Sequence, residues 1–342
     1  MRKYLSLAGV VLLIISVAAC GTDDSTSVID GESLSGSELT VYSGRSEELI
    51  GSLFADFESA TGINLNVRYG DSAELAAQLL EEGNNSPADI FISQDAGSLG
   101  AVAESGMLTT LDDEILNLAP SEYQAESGAW VGLTARARVF AYDPVKVTEL
   151  PDSIDDLLDP KWNGKIGIAP TNASFQAFVT ALRQLRGEVA AETWLAGIAA
   201  NNPVAYEKNS MIVEAINAGE IELGLVNHYY IYEVAEALGG EINVKNGFFA
   251  AGDPGNLINV SGAGILNTAR NSAGAAELIK YLLSNESQNR FVSDTNEYSI
   301  LEEVPSPQGL PTFADIGTPV VDLDALKDVR LTQEMLVRVG LL

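Results

Sequence analysis

The sequence contains very little cysteine, histidine or positive charge. Among its 342 residues Cys20 is the only cysteine and His228 the only histidine, so no disulfide can form within the chain. Lysine and arginine together number 19 against 48 aspartates and glutamates, which gives a net charge of −29 at pH 7. Because such a chain repels nucleic-acid phosphates, we expect no nucleic-acid partner, and the charge favours solubility.

The sequence also lacks the short motifs of the common enzyme classes. It has no nucleophile elbow, no phosphate-binding P-loop, no HExxH zinc motif and no Cys–His pair. Carboxylates are too frequent in so acidic a chain to mark a catalytic site. We therefore expect a protein that is not an enzyme.

Long apolar runs are missing except at the N-terminus. Two basic residues precede a mainly apolar stretch over 5–17, and two alanines then precede Cys20. The stretch is too short to span a membrane comfortably, so the arrangement predicts a cleaved signal peptide over 1–19. Val-Ala-Ala-Cys resembles the lipobox of bacterial lipoproteins, which implies that Cys20 carries a lipid. The alternative is an ordinary signal peptide with an incidental cysteine.

A polar segment separates this N-terminus from the rest of the chain. Residues 20–37 are acidic and rich in serine and glycine, which predicts a flexible tether. With a lipid on Cys20, it would hold an exported body at a membrane, facing the periplasm or the cell exterior. The roughly 300 residues that follow are too many for one small core and fit two lobes.

Strand-like and helix-like runs alternate from residue 39 onward. Residues 39–42 and 63–69 read as strands, and an amphipathic helix lies between them and ends at Thr61-Gly62. Such alternation predicts an α/β fold with mainly parallel sheets covered by helices. Further runs with the same alternation are the helix 72–82 and the strands 88–93, 131–142, 166–169 and 221–226. We expect one lobe from 38–133 with 258–310, and a second from 134–257 with a hinge-crossing segment at 311–342.

Four loops follow predicted strands and carry polar residues. They are 43–46, 94–97, 170–174 and 227–230. In open α/β sheets ligands bind beyond the carboxyl ends of the strands, where loops meet helix N-termini. Four such loops spread over two lobes predict a ligand cleft between the lobes.

Two adjacent tyrosines stand where one predicted strand gives way to a helix. Tyr229 and Tyr230 follow the strand that ends near Asn227, and at such a turn neighbouring side chains can converge. Two phenolates at one point suit a hard, highly charged cation, Fe³⁺ above all, because a trivalent metal can displace the phenol proton at neutral pH. The alternative is that these rings and Tyr232 are aromatic packing at a lobe interface.

Four motifs resemble those of the periplasmic ferric-ion-binding proteins, the substrate-binding components of Fe³⁺ ABC importers. They are LTVYSGR at 39–45, SPADIF at 86–91, DPKWNGKIG at 159–167 and VNHYY at 226–230. The first three also occur in neighbouring groups of binding proteins, whereas the paired tyrosines after Asn227 are more specific. The resemblance runs over 39–342 and implies a two-lobed periplasmic binding protein fold of type II. It also implies an ABC permease as partner, and we expect a monomer.

The resemblance implies that Tyr229 and Tyr230 are the protein ligands of Fe³⁺. This chain departs from some family members, since Ser46 stands where they have a histidine and Gln94 where they have a glutamate. Another subgroup adds a tyrosine in the loop that here reads Thr-Asn-Ala-Ser at 171–174. Two phenolates cannot fill an octahedral shell, so the remaining positions are expected to hold water or a small anion such as carbonate.

Candidate donors to such an anion occupy strand ends or segments that cross between the lobes. They are Arg45, Ser46, Gln94, Arg136, Asn172, Ala173, Ser174, Asn209 and Asn227. Residues 172–174 begin a predicted helix, whose N–H groups and dipole favour negative charge. A guanidinium can grip carbonate with two hydrogen bonds; Arg45 is the first choice, and Arg138 can share the role of Arg136. The alternative for each arginine is a salt bridge in a very acidic protein.

Two further expectations follow. His228 precedes two residues that must turn toward the cleft, so we expect it to face away and not to bind the metal.

The alternative function is binding of an organic or oxyanion ligand in the same fold, such as a phosphonate, a polyamine or thiamine. An acidic cleft with aromatic walls would favour amines.

Overall fold

The computed structural model describes residues 34–342. The predicted signal peptide 1–19, the lipid-attachment residue Cys20 and the tether up to residue 33 lie outside the described residues. No helix within 34–342 combines the length and the apolar character needed to cross a membrane.

Strands and helices alternate along the described chain, as the sequence predicts. The strands are β1 (Glu38–Ser43), β2 (Asn64–Tyr69), β3 (Ile90–Ser93), β4 (Val131–Tyr142), β5 (Ile166–Ile168), β6 (Val204–Ala205), β7 (Leu223–Asn227), β8 (Lys245–Gly247), β9 (Ile258–Ile265) and β10 (Tyr298–Ser299). The α-helices are α1 (Glu47–Thr61), α2 (Ser72–Glu82), α3 (Ala96–Glu104), α4 (Asp113–Leu116), α5 (Ala173–Arg186), α6 (Glu188–Ala200), α7 (Asn209–Asn217), α8 (Tyr230–Ala237), α9 (Ser272–Leu282), α10 (Asn285–Thr295), α11 (Phe313–Ile316) and α12 (Val329–Arg338). Short 3-10 helices cover Gly83–Asn85, Ser121–Tyr123, Ile154–Leu158, Pro160–Trp162, Pro254–Asn256 and Asp324–Lys327.

Local sequence signals set the ends of several helices. Helix α1 ends where Gly62 takes a left-handed conformation with φ of 73°, which an L side chain tolerates poorly. Helix α2 begins after Asp71, whose carboxylate accepts hydrogen bonds from the backbone N–H groups of Ala73 and Glu74. Both helices keep their apolar faces buried and their polar faces outside, as the 3.6-residue period requires.

The strands form two sheets that share β4. In the first sheet the order is β2-β1-β3-β9-β4, with β10 also on β4, and in the second it is β4-β7-β5-β6, with β8 also on β4. The outer strands pair in parallel, β2 with β1 with β3 and β7 with β5 with β6. The crossing strands β4 and β9 pair antiparallel with their neighbours. The mixed α/β fold with sheets flanked by helices is therefore confirmed.

Strand β4 carries the chain from one sheet into the other. Its residues 131–137 pair with β9, and its residues 138–142 pair with β7. The change of partner falls between Ala137 and Arg138, so these neighbours belong to different sheets. The residue bounds of the two lobes stay a prediction.

The C-terminal segment packs against helices that follow both sheets. The backbone of the 3-10 helix Asp324–Lys327 approaches α3 closely, since a Cβ on Gly97 would lie 3.0 Å from the Leu326 carbonyl oxygen. Helix α12 packs on α5, where the Thr180 and Thr332 hydroxyls are 2.7 Å apart. The segment thereby forms one wall of the cleft described next.

Candidate metal-binding cleft

The four strand-end loops named above border one cleft of about 520 Å³. Each loop lies just beyond the carboxyl end of its strand, β1, β3, β5 or β7, which is where ligands bind in open α/β sheets. Among the residues lining it are Gly44, Gln94, Asp95, Arg136, Asn172, Ala173, Ser174, Asn227, Tyr229, Tyr230 and Asn259, together with Leu326, Lys327 and Gln333 of the C-terminal segment.

Tyr229 and Tyr230 lie side by side on this cleft. Strand β7 ends at Asn227 and α8 begins at Tyr230, so the turn between them brings the two rings to a centroid separation of 4.6 Å. The Asn227 Nδ2 donates to the Tyr229 hydroxyl at 3.3 Å. Burial raises the pKa of Tyr230 well above its ordinary value, the nearby Tyr229 raises it further, and Arg136 opposes the shift. The phenol of Tyr230 is therefore neutral at pH 7.

His228 lies away from the cleft, as the sequence predicts. The imidazole is fully buried, its Nε2 is 2.7 Å from the Asn296 carbonyl oxygen, and its Nδ1 accepts from the Ala137 N–H at 3.2 Å. Burial lowers the pKa of His228 to about 4, so the ring is neutral at pH 7. Tyr232 is also outside the cleft lining, and its hydroxyl donates to the Gln308 carbonyl oxygen at 3.4 Å.

Arg45, which the sequence made the first choice for binding the anion, pairs with the carboxylate of Glu297 instead. Its guanidinium forms two hydrogen bonds to Glu297, at 3.0 and 2.5 Å, and is fully buried. A third contact runs from its Nη1 to the Gln94 Oε1 at 3.2 Å, and Gln94 itself lines the cleft. Arg45 itself does not line the cleft; it contacts Gln94, which does, and it shares Glu297 with the cleft residue Arg136. Ser46 is exposed at the N-cap of α1 and does not line the cleft.

Arg136 is the arginine that reaches the cleft, which reverses the order expected from the sequence. Its side chain is only 4 % exposed, and its Nη1 is 4.0 Å from the Glu297 Oε1, too far for a hydrogen bond. Within residues 34–342 this Nη1 has no hydrogen-bond partner. A buried donor without a partner is costly, and Arg136 as a whole lines the cleft, so its positive charge favours an anion there.

The N-terminus of α5, which follows the neighbour strand of β7, also lines the cleft. The Asn172 side chain caps the helix by accepting from the Ser174 N–H at 3.0 Å and from the Ser174 hydroxyl at 2.6 Å. Asn209 lies behind them, fully buried and outside the cleft lining, and its Nδ2 donates to the Asn172 Oδ1 at 3.0 Å. Ala173 is the first residue of the helix, so its backbone N–H belongs to the turn that favours anions.

The carboxylates on the cleft are helix caps. Asp71 caps α2, and Asp95 caps α3 by accepting from the Ser98 N–H at 2.8 Å. The described residues contain no group of three or more histidine, cysteine, aspartate or glutamate side chains that could hold a metal. The phenols of Tyr229 and Tyr230 line the cleft together with these two carboxylates.

Comparison with known proteins places the fold in a family. The model of the bacterial extracellular solute-binding proteins matches residues 85–312. The chain belongs to this family. Solute-binding proteins of this kind are exported and work with ABC permeases in the membrane, which agrees with the resemblance drawn from the motifs.

Specific relatives of this solute-binding protein are named for iron. The Fe(3+)-binding periplasmic protein of Serratia marcescens is 33% identical over 89% of this chain and 90% of its own length. The structure of iron-bound HitA from Pseudomonas aeruginosa has a TM-score of 0.83 and 33% identity over 89% of this chain and 99% of that one. The Trichodesmium IdiA (FutA) structure with iron and citrate has a TM-score of 0.78 and 28% identity, covering 89% of this chain and 100% of that one.

Sequence reasoning missed Glu297 as a determinant of this solute-binding protein's cleft. The residue follows Asn296, which takes a left-handed conformation with φ of 54°, and its carboxylate reaches Arg45 across 252 positions of sequence. Burial raises the pKa of Glu297, but the charges of Arg45 and Arg136 outweigh it and the net shift is downward. No local pattern marks such a pairing, because it depends on the tertiary fold alone.

Proposed function

We propose that this protein binds Fe³⁺ through the phenolate oxygens of Tyr229 and Tyr230 and delivers it to an ABC permease. The observation that carries the proposal is the pair of adjacent tyrosines on one cleft, which the cationic Arg136 also lines. Relatives named for ferric iron at 33% identity support the same ligand.

A small anion such as carbonate completes the site. Two phenolates leave most of an octahedral shell open and a net charge of about +1 on the iron, so an anionic co-ligand is favoured. Arg136, the Ala173 N–H in the first turn of α5, and the side-chain amides of Gln94, Asn172 and Asn227 supply donors around the cleft, while Ser174 supports the Asn172 amide. The volume of about 520 Å³ admits such an anion beside the metal.

The protein acts outside the cytoplasm as a monomer held by a lipid on Cys20. Residues 20–37 let the binding body move near the membrane, where closure around the ligand presents it to the permease. Mass spectrometry of the membrane-extracted protein tests the lipid, and a Cys20→Ala variant is expected to leave the membrane fraction.

A spectroscopic titration tests the ligand. The purified protein is titrated with ferric citrate, with and without bicarbonate, and a tyrosinate-to-iron charge-transfer band that turns the solution orange-red is expected. A colourless protein that binds a phosphonate, a polyamine or thiamine in calorimetry would establish the alternative function instead.

The anion has its own test in Arg136→Gln. Because Arg136 brings a positive charge to the cleft lining, its loss is expected to weaken iron binding in bicarbonate about tenfold. Arg290→Gln is the matched control, since Arg290 lies on α10 and pairs with Asp56 on the surface. Equal affinities for the two variants would remove Arg136 from the site.

A further inference from the structure

Arg138 is a buried cation without a carboxylate partner among the described residues. Its side chain is 2 % exposed, and its hydrogen bonds go to the Leu225 carbonyl oxygen at 2.8 Å, the Ser174 hydroxyl at 3.1 Å and the Asn209 Oδ1 at 3.4 Å. The buried arginines Arg45 and Arg183 differ, since each pairs with at least one carboxylate. The charge of Arg138 is thus left uncompensated by any anion of the described chain.

Such a charge is expensive to keep inside a protein. The rings of Phe175 and Phe178 lie 5.6 and 5.8 Å from the guanidinium carbon and offset part of the desolvation cost. They do not replace a counter-charge, and the Nε of Arg138 has no hydrogen-bond partner within 34–342. An apolar side chain of similar length would fill the position at lower cost, so the charge itself points to a role in binding.

The contacts of Arg138 lead to the wall of the cleft. A guanidinium group only donates, so Ser174 must accept through its oxygen and directs its own hydroxyl hydrogen to the Asn172 Oδ1. Asn209 likewise turns its Oδ1 to Arg138 and its Nδ2 to the same Asn172 oxygen. These donors hold the Asn172 Oδ1, so the Nδ2 in the same amide plane points away from them, and Asn172 itself lines the cleft.

We propose that Arg138 is a positioning residue for the anion of this cleft, acting through Ser174 and Asn209 and supplying positive charge behind the first turn of α5. The inference rests on the proposed ferric site with its co-ligand and adds a residue that does not itself line the cleft. It predicts that Arg138 sets the affinity for the anion, whereas the two phenolates set the colour.

A bicarbonate titration of protein loaded with ferric nitrilotriacetate tests the inference. The midpoint is read from the change in the charge-transfer band, and Arg138→Met is expected to raise the bicarbonate midpoint about tenfold. Its band intensity per bound iron at saturating bicarbonate is expected to match the unaltered protein. Arg186→Met is the control, because Arg186 lies at the far end of α5 and pairs with Asp155, and it is expected to leave the midpoint unchanged.

Two further variants separate positioning from a general loss of structure. Ser174→Ala is expected to raise the midpoint, and the Arg138→Met, Ser174→Ala double variant to raise it no further than Arg138→Met alone, because both changes break one path. If Arg138→Met does not fold, Arg138→Lys decides: it retains the charge but not the fork of donors, and about a threefold rise is expected.

The outcomes are distinguishable from those of the proposed function. Unaltered protein without a charge-transfer band at any bicarbonate concentration overturns the ferric proposal and with it this inference. If Arg138→Met has a normal band and an unchanged bicarbonate midpoint, the role of Arg138 is overturned while the ferric proposal stands; the same holds for Arg138→Lys where that variant decides. A band of the unaltered protein that does not change with bicarbonate also overturns that role. A double variant whose rise in midpoint equals the product of the two single rises overturns it as well.

Discussion

The guanidinium of Arg45 and the carboxylate of Glu297 form a buried two-pronged ion pair that holds β1's exit loop to the segment after α10. Both side chains are at most 3 % exposed, and Arg136 lies 4.0 Å from the same carboxylate. The single negative charge of Glu297 therefore compensates the positive charges of both Arg45 and Arg136. Removing it leaves two buried cations without compensation.

Glu297→Gln is accordingly expected to lower the free energy of unfolding by about 3 kcal/mol, because breaking a buried pair strands its partner. Urea denaturation of the metal-free protein measures the change. Glu334→Gln removes the carboxylate of an exposed pair with Arg330 and is expected to cost less than about 1 kcal/mol. Similar costs for both variants would contradict the role of Glu297.

His228 is expected to make the metal-free protein lose stability in mild acid. Burial lowers the pKa of His228 from 6.5 to about 4, so the unfolded chain binds the proton more readily than the folded one. Its contribution is complete above pH 6.5 and is lost as the pH falls from 6.5 toward 4, amounting to about 3 kcal/mol. His228→Gln is expected to flatten the dependence of the free energy of unfolding on pH in that window. An unchanged slope would show that other groups cause it.

Asn172 is expected both to cap helix α5 and to help bind the anion. Asn172→Ala removes the cap of α5 and is expected to cost about 1 kcal/mol of unfolding free energy. Ser284→Ala removes the cap of α10, which lies outside the cleft lining, at a similar cost. Only Asn172→Ala is expected to raise the bicarbonate midpoint of the ferric protein. A rise in both variants would indicate a general effect of lost stability.

Much of the fold could be predicted because periodicity and capping are local. The bounds of α2 and β4 coincide with those expected from the apolar pattern, and α1 ends at the predicted Gly62. Short elements such as β10 escaped notice, because two residues carry no period and their pairing with β4 exists only in the folded chain. The antiparallel pairing of β9 with β3 and β4 likewise depends on the tertiary fold, which brings these three strands side by side.

The site was predicted in part for the same reason. Loops at the ends of strands meet by topology, so Gln94, Asn172 and Tyr229 converge on one cleft as expected. The ion pair of Arg45 could not be predicted from the neighbouring sequence, because its partner Glu297 is remote in sequence and is brought close by tertiary packing. That pairing occupies Arg45, whereas Arg136 is the one of the two that lines the cleft.

The tyrosine pair is tested most directly by the visible spectrum of the ferric protein in bicarbonate, recorded for the unaltered chain, Tyr229→Phe, Tyr230→Phe and the double variant. Each single variant is expected to lose a large part of the charge-transfer band and the double variant all of it. Tyr281→Phe, whose ring packs on Phe57 away from the cleft, should keep the full band. A double variant that still turns orange-red would contradict iron binding by Tyr229 and Tyr230.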